Sequence, residues 1–167
     1  MKNINLPIEQ AKELFSFDDE AGILLWKKKT AKKVIVGTPA GSQRDDGYII
    51  VGVAGRVYLA HRIIFALVNG YYPDEIDHVD GNPRNNRPSN LREATRSQNN
   101  MNRTMQCNNT SGAKGVYFVK RINKWHSRIK VGGKYISLKY HATVESASKA
   151  YEEASARLHG EFARGAY

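Results

Sequence analysis

Apolar positions recur along this chain in two rhythms, and the changes of rhythm mark its elements. Ile8, Ala11, Leu14 and Phe15 stand at helical spacing behind Pro7, whose fixed φ suits a first helical position. A helix is therefore predicted over 7–15. Gly22-Ile-Leu-Leu-Trp26 reads as a short strand closed by Lys27-Lys28-Lys29, and Lys32-Lys33 precedes Val34-Ile35-Val36. Residues 37–47 are rich in turn formers such as Pro39, Gly41 and Asp46. Residues 48–53 and 56–59 flank Ala54-Gly55 and predict a hairpin. The apolar run 61–68 ends at Asn69-Gly70, a helix with a glycine stop.

Both rhythms then fail. From Ile76 to Arg103 the chain is dominated by acids, amides, basic residues and one histidine, and after Val79 only Leu91, Ala94 and Met101 are apolar. A helix is expected from Leu91 onwards, with Asn90 or Thr95 as its cap. Residues 104–112 are polar and weakly patterned, as in a linker. The pattern restarts with three short strands at 115–119, 124–131 and 134–138, joined by turns at Arg121-Ile122-Asn123 and Gly132-Gly133. Val144, Ala147, Tyr151, Ala154 and Leu158 then alternate at three and four residues, an amphipathic helix with Thr143 as N-cap. The class implied is α+β. Three strands and one helix bury only a small core.

With 41% hydrophobic residues the chain can fold, no apolar run is long enough to span a bilayer, and the N-terminus lacks a signal-peptide core. One cysteine, Cys107, excludes an internal disulfide framework and a cysteine-built zinc ribbon, so a cytoplasmic setting is expected. A net charge of +10 favours a polyanionic partner, since lysine and arginine displace counterions from phosphates. An acidic membrane surface is disfavoured, because no basic helix with a strongly apolar face appears.

The polar stretch holds the candidate chemistry. Asp77 and His78 are adjacent at a strand end, where a bend through Val79-Asp80-Gly81-Asn82-Pro83 can bring both to one site. One carboxylate, Asp77, and one amide oxygen, Asn99, suit a hard divalent cation that keeps several waters. Asn100 and Asn102 compete with Asn99, because helix register is open by a residue or more. Neutral His78 suits a general base acting on water, and Asn90 suits a brace across the loop.

Ile76-Asp77-His78, Gly81-Asn82, Asn85-Asn86-Arg87, Asn90-Leu91-Arg92 and Thr95 through Asn99-Asn100 together resemble the HNH endonuclease family, in the phage and intron-encoded branch that ends on asparagine. The resemblance implies a ββα-metal core at about 58–103 within a nuclease domain 1–106. It implies one divalent metal, Mg2+ or else Mn2+, on Asp77 and Asn99, with His78 as base and Asn90 as brace. His61, in Leu59-Ala60-His61-Arg62-Ile63, is read as a packing or capping residue.

After the 107–112 linker, Ser111-Gly-Ala-Lys-Gly-Val-Tyr117, Lys124-Trp125, Arg128-Ile129, Leu138 and Ala150-Tyr151 resemble the Apetala-type (ethylene-response-factor-like) DNA-binding domain, assigned to 113–167. That family reads the major groove with its sheet. Lys139 stands where the family has glycine, and His141-Ala142 replace Phe-Asp. The expected DNA contacts are Lys114, Tyr117, Lys120, Arg121, Trp125, Arg128, Lys130 and Lys134, with Arg92, Arg96 and Arg103 from the nuclease side. The combined expectation is a homing-type, site-specific endonuclease acting on double-stranded DNA in the host cytoplasm. It is expected to nick as a monomer, with no protein partner or membrane. The alternative is a catalytically silent DNA-binding regulator. An RNA-binding module is disfavoured because the sheet is read as lacking a base-stacking aromatic pair.

Overall fold

The structure is a computed structural model and describes residues 4–103, 105 and 108–163. The chain divides into two compact units, residues 1–94 and 95–167, mixed in helix and strand and built on small sheets. Thr104, Gln106, Cys107 and residue 164 onwards lie outside the described residues.

In the first unit, α1 (Ile8–Leu14) begins after Pro7, which stands at the N-cap rather than inside the helix. It runs straight into a strand that the periodicity did not signal, β1 (Phe15–Asp18), which pairs antiparallel with β2 (Ile23–Trp26). Phe15 and Trp26 are directly opposed, with ring centroids 4.9 Å apart. A second sheet joins the short β3 (Ser42–Gln43) to the predicted hairpin, β4 (Ile49–Val53) and β5 (Arg56–Leu59). Helix α2 (Ala60–Asn69) follows and stops where expected, on left-handed Gly70, whose N–H donates to Ala66 O. Leu6, Leu14, Phe15, Leu24, Val51, Ile63, Ile64, Ile76 and Leu91 belong to its continuous core.

The last sheet of this unit pairs β6 (Glu75–His78) with β7 (Leu91–Ala94), in a register that sets Asp77 opposite Arg92 and His78 opposite Leu91. The helix expected from Leu91 therefore starts later. Leu91 and Ala94 face the interior from a strand, and cross-strand pairing with β6 overrides the local helical pattern. A buried arginine ties down the approach to β6. Arg62, on α2, donates from Nε to Asn5 Oδ1 (2.9 Å), from Nη2 to Pro73 O (2.7 Å) and from Nη1 to Asp74 O (3.3 Å).

The second unit opens with α3 (Arg96–Asn102). Thr95 closes a full capping box with Gln98, as one of the two expected caps. Residues 109–112, expected to be linker, are tied down instead. Asn109 Oδ1 accepts from the backbone of Ser111 and Gly112, and Ser111 Oγ donates to Val116 O. The predicted three-stranded antiparallel sheet is β8 (Val116–Val119), β9 (Lys124–Val131) and β10 (Lys134–His141), with β9 in the middle. Helix α4 (Val144–His159) packs on it, capped by Thr143, and buries Ala147, Tyr151 and Ala154. Gly115 permits that packing, since a Cβ there would sit 2.3 Å from the Tyr151 ring. Strand β10 runs three residues past the expected end, through a register shift between Ser137 and Tyr140. Lys139 sits in this bulge at φ +77°, a left-handed conformation that costs a non-glycine residue about 1–2 kcal/mol. Lys139 thus holds a backbone conformation that glycine would adopt without that cost.

Candidate functional site

Strand β6 carries Asp77 and His78 into the interior of the first unit, 3% and 5% exposed. Asp77 Oδ2 accepts from Nε (2.9 Å) and Nη2 (2.7 Å) of Arg92, its cross-strand partner. This ion pair fixes the carboxylate, and it places Arg92, expected among the DNA contacts, on Asp77. His78 Nε2 lies 3.0 Å from Oδ1 of fully buried Asn86. With the proton on Nε2 donated to that oxygen, the imidazole lone pair resides on Nδ1. Burial draws the His78 pKa down, and the Asn86 bond with Asp80 and Asp77 only partly offsets this, leaving it below the usual histidine value of 6.5. The ring is neutral at pH 7.

The loop between β6 and β7 is held by Asn90 and Asp80. Asn90 Nδ2 donates to Asp80 Oδ1 (2.9 Å) and Asn85 O (2.7 Å), while its Oδ1 accepts from Asp80 N. Its carbonyl accepts from Val79 N, next to His78. Burial alone would raise the Asp80 pKa. Hydrogen bonds from Asn82, Asn85 and Asn90 outweigh it, and the carboxyl lies below its usual range. Gly22 lets β2 approach this loop, because a Cβ there would sit 2.4 Å from Arg87 N.

Two features here were given no chemical role from the sequence, His61 having been read only as packing or capping. Asn86 lay within a recognised Asn-Asn-Arg string, but nothing in composition distinguishes it from Asn85. His61 packs against His78, with centroids 5.1 Å apart and planes at 67°, and against Tyr48 at 5.4 Å. Burial, reinforced by His78 and Arg62, pushes the His61 pKa down to about 3. This makes stability pH-dependent with a defined sign. The folded pKa lies below the unfolded value, so the contribution is complete above pH 6.5 and is lost as pH falls towards 3. Between pH 7 and pH 5 His61 alone is expected to remove about 2 kcal/mol. Denaturant titrations should show that His61→Phe loses less stability than wild type over this interval. Equal losses would contradict the assignment.

Asn99 is half-buried within α3, its N–H bonded to Thr95 O, whereas Asn100 is exposed and Asn102 buried. No cluster of three or more His, Cys, Asp or Glu side chains able to share a metal occurs among the described residues. An Asp and Asn oxygen donor set contains only one such residue. Asp77 belongs to the first unit and Asn99 to the second, and each offers a hard oxygen of the kind Mg2+ accepts.

Around the second unit's sheet, strand parity sorts the expected DNA contacts. Tyr117, Arg128 and Lys130 are exposed together on the face turned away from α4. The Arg128 guanidinium lies 5.0 Å from the Tyr117 ring centroid and 4.2 Å from that of Tyr135. Trp125, an odd number of residues from Arg128, faces α4 and is half-buried against Ala113, Val116 and Ala147. Lys134 pairs with Val131 in the same helix-side row but is exposed, and Lys120 and Arg121 form the exposed 3-10 turn after β8. Lys114 Nζ donates to the carbonyls of Met101 and Arg103, closing the end of α3. Arg96 and Arg103 are exposed and line, with Lys114, Arg128 and Lys130, one basic groove of this unit. The outer face also carries exposed aromatic side chains. Tyr135 (60% exposed) and Tyr140 (53%) join Tyr117, with His126 tied between Tyr117 Oη (2.7 Å) and Ser137 Oγ (2.8 Å). The bulge at Lys139 brings Tyr140 opposite His126.

A profile of the HNH endonuclease family matches residues 58–101. The chain is 37% identical over 95 residues to Protein 3.8 of Escherichia phage T7, covering 57% of this chain and 75% of that protein. It is also 37% identical over 120 residues to the uncharacterized HNH endonuclease L560 of Acanthamoeba polyphaga mimivirus, covering 70% of this chain and 61% of that one. No solved structure matches the chain. Among the described residues, no helix is long and apolar enough to cross a membrane.

Proposed function

Because the chain belongs to the same family as Protein 3.8 of phage T7 and carries an HNH endonuclease domain, we propose that it is a homing-type DNA endonuclease hydrolysing a phosphodiester bond with one divalent metal. The observation that carries this reading is the buried Asp77–His78 pair on β6, inside the matched segment, with its loop held by Asn86, Asn90 and Asp80. His78, neutral and with its lone pair on Nδ1, takes the proton from an attacking water. Asn86 holds the tautomer, and Arg92 holds the Asp77 carboxylate. Asp77 and Asn99 would hold the ion, Mg2+ or Mn2+, in a ββα-metal core. When bound, it supplies charge stabilisation at the phosphate and the leaving oxygen.

Residues 113–167 serve as the address, an Apetala-type domain whose outer sheet face meets double-stranded DNA through Tyr117, Arg128 and Lys130. In support of this, those groups share one exposed face beside a basic groove. Lys120, Arg121 and Lys134 contact phosphates at its edge. The protein acts in the host cytoplasm as a monomer, and a single site then produces a nick.

The test is a supercoiled plasmid incubated with the full chain. Nicked product with Mg2+, abolished by chelator and by Asp77→Ala, is the expected result. Retarded but uncut plasmid under every metal condition would replace this reading with that of a silent DNA-binding regulator.

A further inference from the structure

His61 lies as deep as His78, each 5% exposed, and the two rings meet edge to face. Its Nδ1 is sealed from solvent and has no hydrogen-bond partner among the described residues. An unpartnered buried polar atom costs about 1–3 kcal/mol, and a phenylalanine would fill the same flat space against Tyr48 without that cost. Its neighbour Arg62, by contrast, spends its guanidinium on three oxygens.

The sealed nitrogen also decides the tautomer. A buried N–H with nothing to donate to is rarer and costlier than a bare acceptor, so the proton belongs on the other nitrogen, Nε2. Nε2 is not among the sealed, unpartnered atoms and is bonded to no described residue. His61 thus offers one fixed N–H donor beside the candidate base.

We infer that His61 is a second functional histidine of the proposed nuclease site, donating its Nε2–H to a non-bridging oxygen of the phosphate brought beside His78. This rests on the nuclease reading. No bond is made or broken at His61 and no proton leaves it. It orients the phosphate and offsets charge as the water attacks, as a preorganised donor does at an oxyanion. Its neutrality is what the neighbouring base requires, because a charged ring at 5.1 Å would disfavour proton uptake by His78.

The test uses the full chain and three substitutions. His61→Phe keeps the ring without nitrogen, His61→Gln sets an amide N–H near the place of Nε2, and His61→Asn sets one near Nδ1. In single-turnover plasmid cleavage with Mg2+, at protein concentrations that saturate the plasmid, His61→Phe is expected to be about 100-fold slower. His61→Gln should recover most of the rate and His61→Asn should not. A wild-type rate in His61→Phe, or equal slowness in the Phe and Gln variants, would overturn the inference.

A second arm is independent of cleavage. The ring-nitrogen resonances of His61 are followed by NMR as a short DNA duplex is added in chelator. A shift of the Nε2–H signal is expected, and an unmoved signal on a protein that binds the duplex would overturn the inference. If wild type binds but never cuts, the nuclease reading fails on its own, and this arm still decides whether His61 meets phosphate.

Discussion

His78→Ala is expected to slow cleavage by about 100- to 10,000-fold, the range that a positioned general base contributes. The ring is neutral at pH 7 and 5% exposed, so its loss removes no charge from the DNA-facing surface and duplex affinity should be unchanged. Asn86 provides an internal comparison. Its replacement by alanine leaves the imidazole present but without the Oδ1 that holds the Nε2 proton, so a smaller loss is expected, of about tenfold to 100-fold. Single-turnover rates on a nicked-plasmid assay, paired with gel shifts in chelator, measure both effects. An Asn86→Ala defect larger than that of His78→Ala would sink the assigned roles.

The largest stability effect is expected at Arg62. Its alanine variant strands Asn5 Oδ1 and the carbonyls of Pro73 and Asp74, and removes the guanidinium lying 5.8 Å from the centroid of the Tyr72 ring. Charge-assisted hydrogen bonds are worth about 1.5–3 kcal/mol each, and stranded buried acceptors add to the cost, so a total loss of about 3–5 kcal/mol is expected. That is a large part of the stability of an ordinary domain, about 5–15 kcal/mol. Arg62→Lys should recover little, because a single ammonium cannot span three oxygens that a planar fork reaches. Urea titration of the full chain reads the first unit's transition. A loss below about 1 kcal/mol would mean that the β6 approach is held by other contacts.

The sequence was most informative where periodicity and punctuation agreed. The hairpin at Ala54-Gly55, the Gly70 stop and the amphipathic 144–158 helix each had a hydrophobic rhythm and a turn or cap pointing to the same boundary. It failed where tertiary pairing decided. Phe15–Asp18 is too short to show its alternation behind a helix, and Leu91–Ala94 reads as helix until β6 is there to pair with it. At the site, Asp77 and His78 stood out as a pair, whereas Asn86 is one of several asparagines until folding buries it against His78. Parity and a bulge set the exposure of two aromatic side chains on the second unit's sheet. One residue's offset turns Trp125 to α4, and one bulge turns Tyr140 outward. Lys139 carries a left-handed backbone conformation that nothing in its residue type signals.

The central claim, that a neutral imidazole at position 78 takes a proton during phosphodiester hydrolysis, is tested most directly by chemical rescue. His78→Ala, with Mg2+ and supercoiled plasmid, is titrated with free imidazole across a pH series. The account predicts that nicking returns in proportion to the unprotonated imidazole, with no change in plasmid affinity. A variant that binds plasmid normally, yet gains nothing from imidazole at any pH while wild type cuts, would contradict it.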